Sequence, residues 1–214
     1  MRPSFNTLFI FLVAQSILFA QDLTITKKGV QTFYFKDPQN RNQLIFSNNG
    51  LVDTFNGITD DVWGEISFDP ANLQNTLKGK ISTSVKSIKT GIDSRDEDLY
   101  SERWLNAEEY PEITFQIKEV KDVFELADNK AKISVDGDFS CNGKTKMITS
   151  DFILTYLEES EITKRRIPGD LLSVAGEFEI ELSDFGIQNI FIRSRVAENV
   201  VIRVNIVGTN MQPE

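Results

Sequence analysis

Histidine is absent from this chain, and cysteine occurs once, at position 141. Without histidine, Ser-His-Asp and Cys-His nucleophile systems are excluded in their usual form. Zinc sites that need an imidazole are excluded with them, and one thiol cannot build an all-thiolate site. Chemistry, if there were any, would rest on carboxylates, lysine, tyrosine or arginine. A single cysteine also forbids an intrachain disulfide. Cys141 reads as a small buried apolar residue rather than a reactive thiol. Positive charge is in deficit, with 23 Lys and Arg against 32 Asp and Glu, a formal net charge of −9. Such a surface repels phosphate backbones and gives no basic footprint for nucleic acid or anionic lipid. Long apolar runs are scarce. The one run, Leu8 to Phe19, is broken by Gln15 and Ser16 and is short of the roughly 20 apolar residues a membrane span needs. Arg2 before it and the small Ala20 at its end mark residues 1–20 as a secretory signal peptide. No cysteine follows, so a lipid anchor is not indicated. Residues 21–214 are then expected to form one exported domain, periplasmic or, as the alternative, secreted from the cell.

What the chain has in quantity is alternation, with 16 phenylalanines to fill an interior. Ala131, Ile133, Val135, Gly137, Phe139 and Cys141 take one face of a strand. Lys132, Ser134, Asp136, Asp138 and Ser140 take the other, so one side meets a core and the other meets water. Asn142-Gly143 follows at once, the signature of a type I′ hairpin. The partner returns through Ile148, Ser150, Phe152, Leu154 and Tyr156. A polar connection from Glu158 to Asp170 leads to Leu172, Val174, Gly176, Phe178, Ile180 and Leu182. The last strand carries Val200, Ile202, Val204 and Ile206. The front half repeats the pattern less cleanly around Phe33, Asn42 to Ser47, Phe55, Val62 to Phe68 and Leu77 to Lys89. About eight to nine strands with short turns and no long helix argue for an all-β antiparallel barrel or sandwich. An eight-stranded barrel either packs solid or holds one small ligand, and periodicity leaves that choice open.

One segment breaks the alternation, from Thr90 to Phe115. Ser94 followed by Glu97 fits a capping box, and Asp96, Glu97 and Asp98 suit the first turn of a helix. Tyr100 and Trp104 are four apart, on one helical face. A short helical insertion is expected around residues 94–110. Four uses compete: a plug that closes a barrel end; a metal loop from Asp93, Asp96 and Asp98, whose spacing does not match the calcium loop; a carboxylate acid/base pair drawn from Asp96, Asp98, Glu108 and Glu109; and a lid whose Trp104 and Leu105 touch a ligand. Arg95 opposes the helix dipole at a helix start and is expected to find a carboxylate, with Asp184 a candidate.

Several motifs occur in a fixed order: Ser87-Ile88-Lys89-Thr90-Gly91, then Arg95-Asp96-Glu97-Asp98-Leu99, then Tyr110-Pro111-Glu112-Ile113-Thr114-Phe115, and later Ser183-Asp184-Phe185-Gly186-Ile187. In that order they make the chain resemble the YceI-like family of exported bacterial lipid-binding proteins, from about Asn42 to Gly208. The resemblance implies an extended, eight-stranded, antiparallel lipocalin-like β-barrel with a long apolar pocket. It implies a polyisoprenoid or quinone chain, or another amphipathic lipid, as the bound partner. The leading expectation is therefore a non-enzymatic carrier with no metal and no cofactor beyond that lipid, its oligomeric state open to a homodimer. Ligand contacts are expected from Phe68, Val85, Phe115, Val135, Phe139, Phe152, Leu154, Phe178, Ile180 and Ile202, with Trp104 and Leu105 at the mouth. The alternatives are an envelope stress or structural interaction protein with a solid barrel, and, after that, a carboxylate enzyme.

Overall fold

The computed structural model describes residues 23–213, so the expected signal segment lies outside the described residues. Among the described residues there are ten strands: β1 (Gln31–Tyr34), β2 (Gln43–Asn49), β3 (Thr54–Thr59), β4 (Val62–Phe68), β5 (Lys78–Ser84), β6 (Glu112–Ala127), β7 (Lys130–Cys141), β8 (Lys144–Leu157), β9 (Leu171–Glu181) and β10 (Asn199–Thr209). Two short helices interrupt them, α1 (Leu73–Thr76) and α2 (Asp93–Tyr100). The sheet order is β1-β4-β5-β6-β7-β8-β9-β10, and β10 pairs back to β1, which closes an eight-stranded antiparallel barrel. The expected all-β barrel is the observed one.

The closure is asymmetric, and this shapes the interior. β10 meets β1 at a single position, Tyr34 opposite Thr209. Over Val200 to Asn205 the same edge of β10 pairs with β2 instead, and β2 pairs with β3. The wall therefore forks. Asn42 sits at the fork: its side-chain nitrogen donates to the carbonyls of Phe35 (2.8 Å) and Val207 (3.2 Å), and its oxygen accepts from the Val207 amide (2.8 Å). A buried amide thus substitutes for the ladder hydrogen bonds that the fork removes. Beside it, Arg41 grips the buried Asp37 carboxylate through two nitrogens, at 2.9 and 3.0 Å. Burial alone would raise the Asp37 carboxyl; the Arg41 and Gln39 hydrogen bonds and the Arg166 charge outweigh it and hold it below its usual range.

Bulges keep β6 inward-facing along its length. Register shifts between Ile117 and Glu119 and between Val120 and Asp122 each add one residue and flip the parity. Ile113, Phe115 and Ile117 face inward before the first shift, and the buried Val120 and half-buried Val123 after it. At Asn142-Gly143 both φ angles are positive, 47° and 67°, the type I′ turn that the sequence implies. Gly137 is required for another reason: a Cβ there would overlap the Phe115 ring. Gly137→Ala should lower stability by about 1–3 kcal/mol, as overpacking does; an unchanged midpoint in urea would show that the ring moves freely.

One end of the barrel is packed solid. Phe33, Phe68 and Tyr156 form an aromatic cluster with centroids 5.4 to 6.5 Å apart. The Tyr156 hydroxyl donates to the buried Asp170 carboxylate at 2.8 Å. Burial and that carboxylate together push the Tyr156 phenol well above its ordinary value. Leu73 of α1 is fully buried, and Gln74 donates to the Val120 carbonyl exposed by the β6 bulge (2.5 Å).

Candidate functional site

The other end is hollow. A cavity of about 490 Å³ opens there, between the β2–β3 hairpin, α2 and the loop before β10. A second, narrow space of about 80 Å³ adjoins it toward the closed end. Leu44, Thr83, Ile113, Phe139 and Ile202 line both parts and form the waist between them. The main volume lies within the roughly 300–1,000 Å³ that small-molecule sites occupy.

The walls are aliphatic and aromatic. Phe152, Phe115, Phe178, Phe139 and Phe185 make a chain of ring contacts at 5.3 to 5.7 Å between successive members. The few buried polar groups on the wall are already satisfied. Thr59 bonds Thr83 (3.0 Å) and Ser87 (2.6 Å), and the Thr83 hydroxyl also reaches the Asp61 carbonyl (2.9 Å). Asn48 exchanges two hydrogen bonds of 2.9 Å with the backbone of Ala197. An apolar ligand therefore meets no unpaired donor or acceptor deep in the cavity, where one would be costly. Cys141 lines the same wall, and burial pushes its thiol up to about 12. It should resist thiol reagents at neutral pH until the protein is unfolded; stoichiometric labelling of the native protein would contradict that burial.

The insertion forms one wall of the mouth. Its helix is shorter than expected, ending at Tyr100, and turns carry Ser101 to Glu109. The capping box is not formed: Ile92 is the N-cap residue, it makes no side-chain cap, and Ser94 lies inside the helix. The buried Asp96 does the anchoring instead. One of its oxygens accepts from both the Thr90 amide (2.8 Å) and the Thr90 hydroxyl (2.7 Å), and Lys89 lies 3.7 Å from the other. A sequence rule that looks only at the N-cap and three residues on cannot see a carboxylate reaching back six positions. The Tyr100 hydroxyl ties the far end of α2 to the Ile88 carbonyl (2.5 Å). Arg95 finds an aromatic ring, not a carboxylate: its guanidinium lies 4.5 Å from the Phe55 centroid, while Asp184 pairs with Lys146 at 2.8 Å.

The anchor carries a pH expectation. Burial acts to raise the Asp96 carboxyl, but the Thr90 hydrogen bonds and the Lys89 charge prevail and lower it. A depressed carboxylate stabilises above its unfolded pKa, near 3.9, and loses that contribution as pH falls through the folded value. Acidification below about pH 4 should release the Thr90 amide to hydrogen exchange before the barrel strands. Thr90 protection that persisted until global unfolding would contradict this.

The carboxylates do not converge. Asp98 faces Arg103 (3.2 Å), Glu108 pairs with Lys86, and Glu109 accepts from Tyr110 (2.7 Å). Among the described residues, no group of three metal-ligating side chains gathers.

The structure brings nine of the expected contact residues to the cavity. Trp104, Leu105 and Ile180 line the outer chamber, Phe139 and Ile202 the waist, and Phe115, Phe152, Leu154 and Phe178 the narrow space. Three stand elsewhere. Phe68 is consumed by the aromatic cluster at the closed end. Val85 is fully buried in the turn after β5, its amide bonded to the Pro111 carbonyl (2.9 Å). Val135 is fully buried beside its cross-strand partner Val120 and lines neither part. The sequence reading missed the contributors from the β2–β3 hairpin, Leu44, Phe46 and Phe55, and those from the loop before β10, Phe191, Arg195 and Val196. The exposed apolar residues of those turns, Leu51, Val52 and Ile190, were the available signal.

Comparison with known proteins agrees with this architecture. The barrel superposes on BcnA of Burkholderia cenocepacia with a TM-score of 0.63, at 18% identity, over 81% of this chain and 100% of that one. It superposes on a polyisoprenoid binding domain from Saccharophagus degradans with a TM-score of 0.59, at 12% identity, over 84% and 98%. These likenesses concern the fold. A UPF0312 protein of Vibrio cholerae is 29% identical over 127 residues, 58% of this chain. The match spans 60% of that relative's length. The sequence profile of the YceI-like domain matches residues 35–208. A closed eight-stranded barrel with this ordered set of motifs, matched over most of its length, belongs to the YceI-like family.

Proposed function

We propose that this protein is an exported carrier for a long apolar lipid of the isoprenoid type, held with its chain along the barrel axis. The observation that carries the reading is the two-part cavity: a wide outer chamber that narrows at Ile113, Phe139 and Ile202 into a slot among Phe115, Phe152 and Phe178. That shape suits an unbranched or methyl-branched chain entering end first. The driving force is removal of apolar surface from water, about 0.8 kcal/mol for each CH₂ buried. No catalytic step is needed, and the scattered carboxylates favour binding without chemistry. The Saccharophagus degradans neighbour, described as polyisoprenoid binding, supports the ligand class. The short apolar run after Arg2 supports export, to the periplasm in the first instance.

A fluorescent apolar probe displaced by prenols of increasing length tests this. Affinity should rise with each added methylene, by up to about fourfold, until the slot is full, and then level off. Affinity independent of chain length would contradict a chain-binding cavity.

A further inference from the structure

Four charged side chains line the outer chamber: Asp53, Arg95, Asp98 and Arg195. Asp98 faces Arg103. Neither Arg95 nor Arg195 has a carboxylate at ion-pair distance among the described residues. Elsewhere in this acidic chain Arg41, Arg103, Arg166, Arg193 and Arg203 each face one. Arg165, outside the chamber, also has none among the described residues; Arg95 and Arg195 differ from it in lying over aromatic rings, Arg95 over Phe55 at 4.5 Å and Arg195 over Phe191 at 5.6 Å. Phe55 and Phe191 also line the chamber.

Stacking on a ring occupies the face of a guanidinium and leaves its N–H edge available. That edge is a planar fork whose spacing matches the oxygens of a phosphate or carboxylate. The rings also hold the planes in place, so less side-chain entropy is lost when an acceptor arrives. Deeper in the cavity the polar groups are already hydrogen-bonded. The lining is thus apolar inside and presents two guanidinium edges at the rim beside one carboxylate, Asp53, that no arginine or lysine pairs among the described residues, an arrangement that suits an amphiphile with an apolar tail and an anionic head.

We propose that Arg95 and Arg195 bind an oxyanion headgroup of the phosphate type, with the attached apolar chain running inward past Ile202. This rests on the carrier reading and specifies its ligand as an anionic lipid rather than a neutral one. Asp53, on the tip of the β2–β3 hairpin, opposes the anion and limits its affinity.

Titration calorimetry with farnesyl phosphate, farnesol and inorganic phosphate tests the assignment. Farnesyl phosphate should bind on the order of tenfold tighter than farnesol or better, as charge-assisted hydrogen bonds allow. That ratio should shrink with added salt and collapse toward one in the Arg95→Gln/Arg195→Gln double variant. Arg195→Gln alone, at an exposed position, should reduce the ratio by about half of its logarithm. Asp53→Asn should raise it. Equal binding of farnesol and farnesyl phosphate by the unaltered protein would overturn the headgroup assignment while leaving the carrier reading intact. Binding of neither would overturn both. Inorganic phosphate bound as tightly as farnesyl phosphate would show a free-anion site and overturn the lipid assignment.

Discussion

Replacing Ile202 by tryptophan should cost the protein its preference for long chains. Ile202 lies on β10 at the waist, opposite Phe46 on β2 and Phe178 on β9, and it lines both the chamber and the slot. An indole there closes the slot and leaves the chamber. A ligand that had placed about four methylenes beyond the waist would lose roughly 3 kcal/mol, a weakening of about a hundredfold or more. Short apolar ligands should bind much as before. Overpacking ordinarily costs about 1–3 kcal/mol; here the larger ring enters empty space, and the melting temperature should fall by only a few degrees. The checking measurement is the dependence of affinity on chain length in the variant and the parent. Unaltered long-chain preference in a folded Ile202→Trp protein would mean that the slot does not receive the chain.

The second large effect concerns the closed end. Asp170 is buried, and its carboxylate accepts from the Tyr156 hydroxyl and the Glu159 amide, both at 2.8 Å, with Lys27 3.7 Å away. Asp170→Ala strands the buried Tyr156 hydroxyl, at about 1–3 kcal/mol, and unties the part-buried Glu159 amide at a smaller cost. For a domain of this size the melting temperature should drop by roughly 5–15 °C. Tyr156 also anchors the rings of Phe33 and Phe68, so the loss should loosen the plug as well as the loop. Thermal unfolding followed by circular dichroism measures it. A drop of a degree or two would show that water replaces the carboxylate without penalty.

Much of this architecture is legible in the residues, and the parts that are not have definite causes. The inner faces of β7, β8, β9 and β10 alternate strictly, because each strand is buried on one side only. Those strands supply most of the expected contact residues that line the cavity. β6 reads poorly beyond Ile117, because two bulges turn a period of two into an apparent period of three at Ile117, Val120 and Val123. The type I′ turn at Asn142-Gly143 is local chemistry and could be read directly. The Asp96 anchor could not, since its partner Thr90 lies outside any capping motif. For Arg95 charge alone suggests a carboxylate, whereas the fold brings β3 alongside α2 and offers the Phe55 ring. Val85 falls in the turn after β5, where alternation no longer applies, and Val135 is covered by Val120; Phe68 points inward as the alternation requires, but alternation cannot say how far the solid end extends. That limit is set by Phe33, Phe68 and Tyr156 meeting from three strands distant in sequence.

The lipid chain of the proposed carrier occupies the hollow half of the barrel. The most direct measurement is organic extraction of the freshly purified protein followed by mass spectrometry, with reloading of the delipidated protein as its second arm. The account predicts a single class of long-chain isoprenoid lipid in near-stoichiometric amount, restored on reloading. A protein that carries no lipid and takes up none in vitro would contradict it.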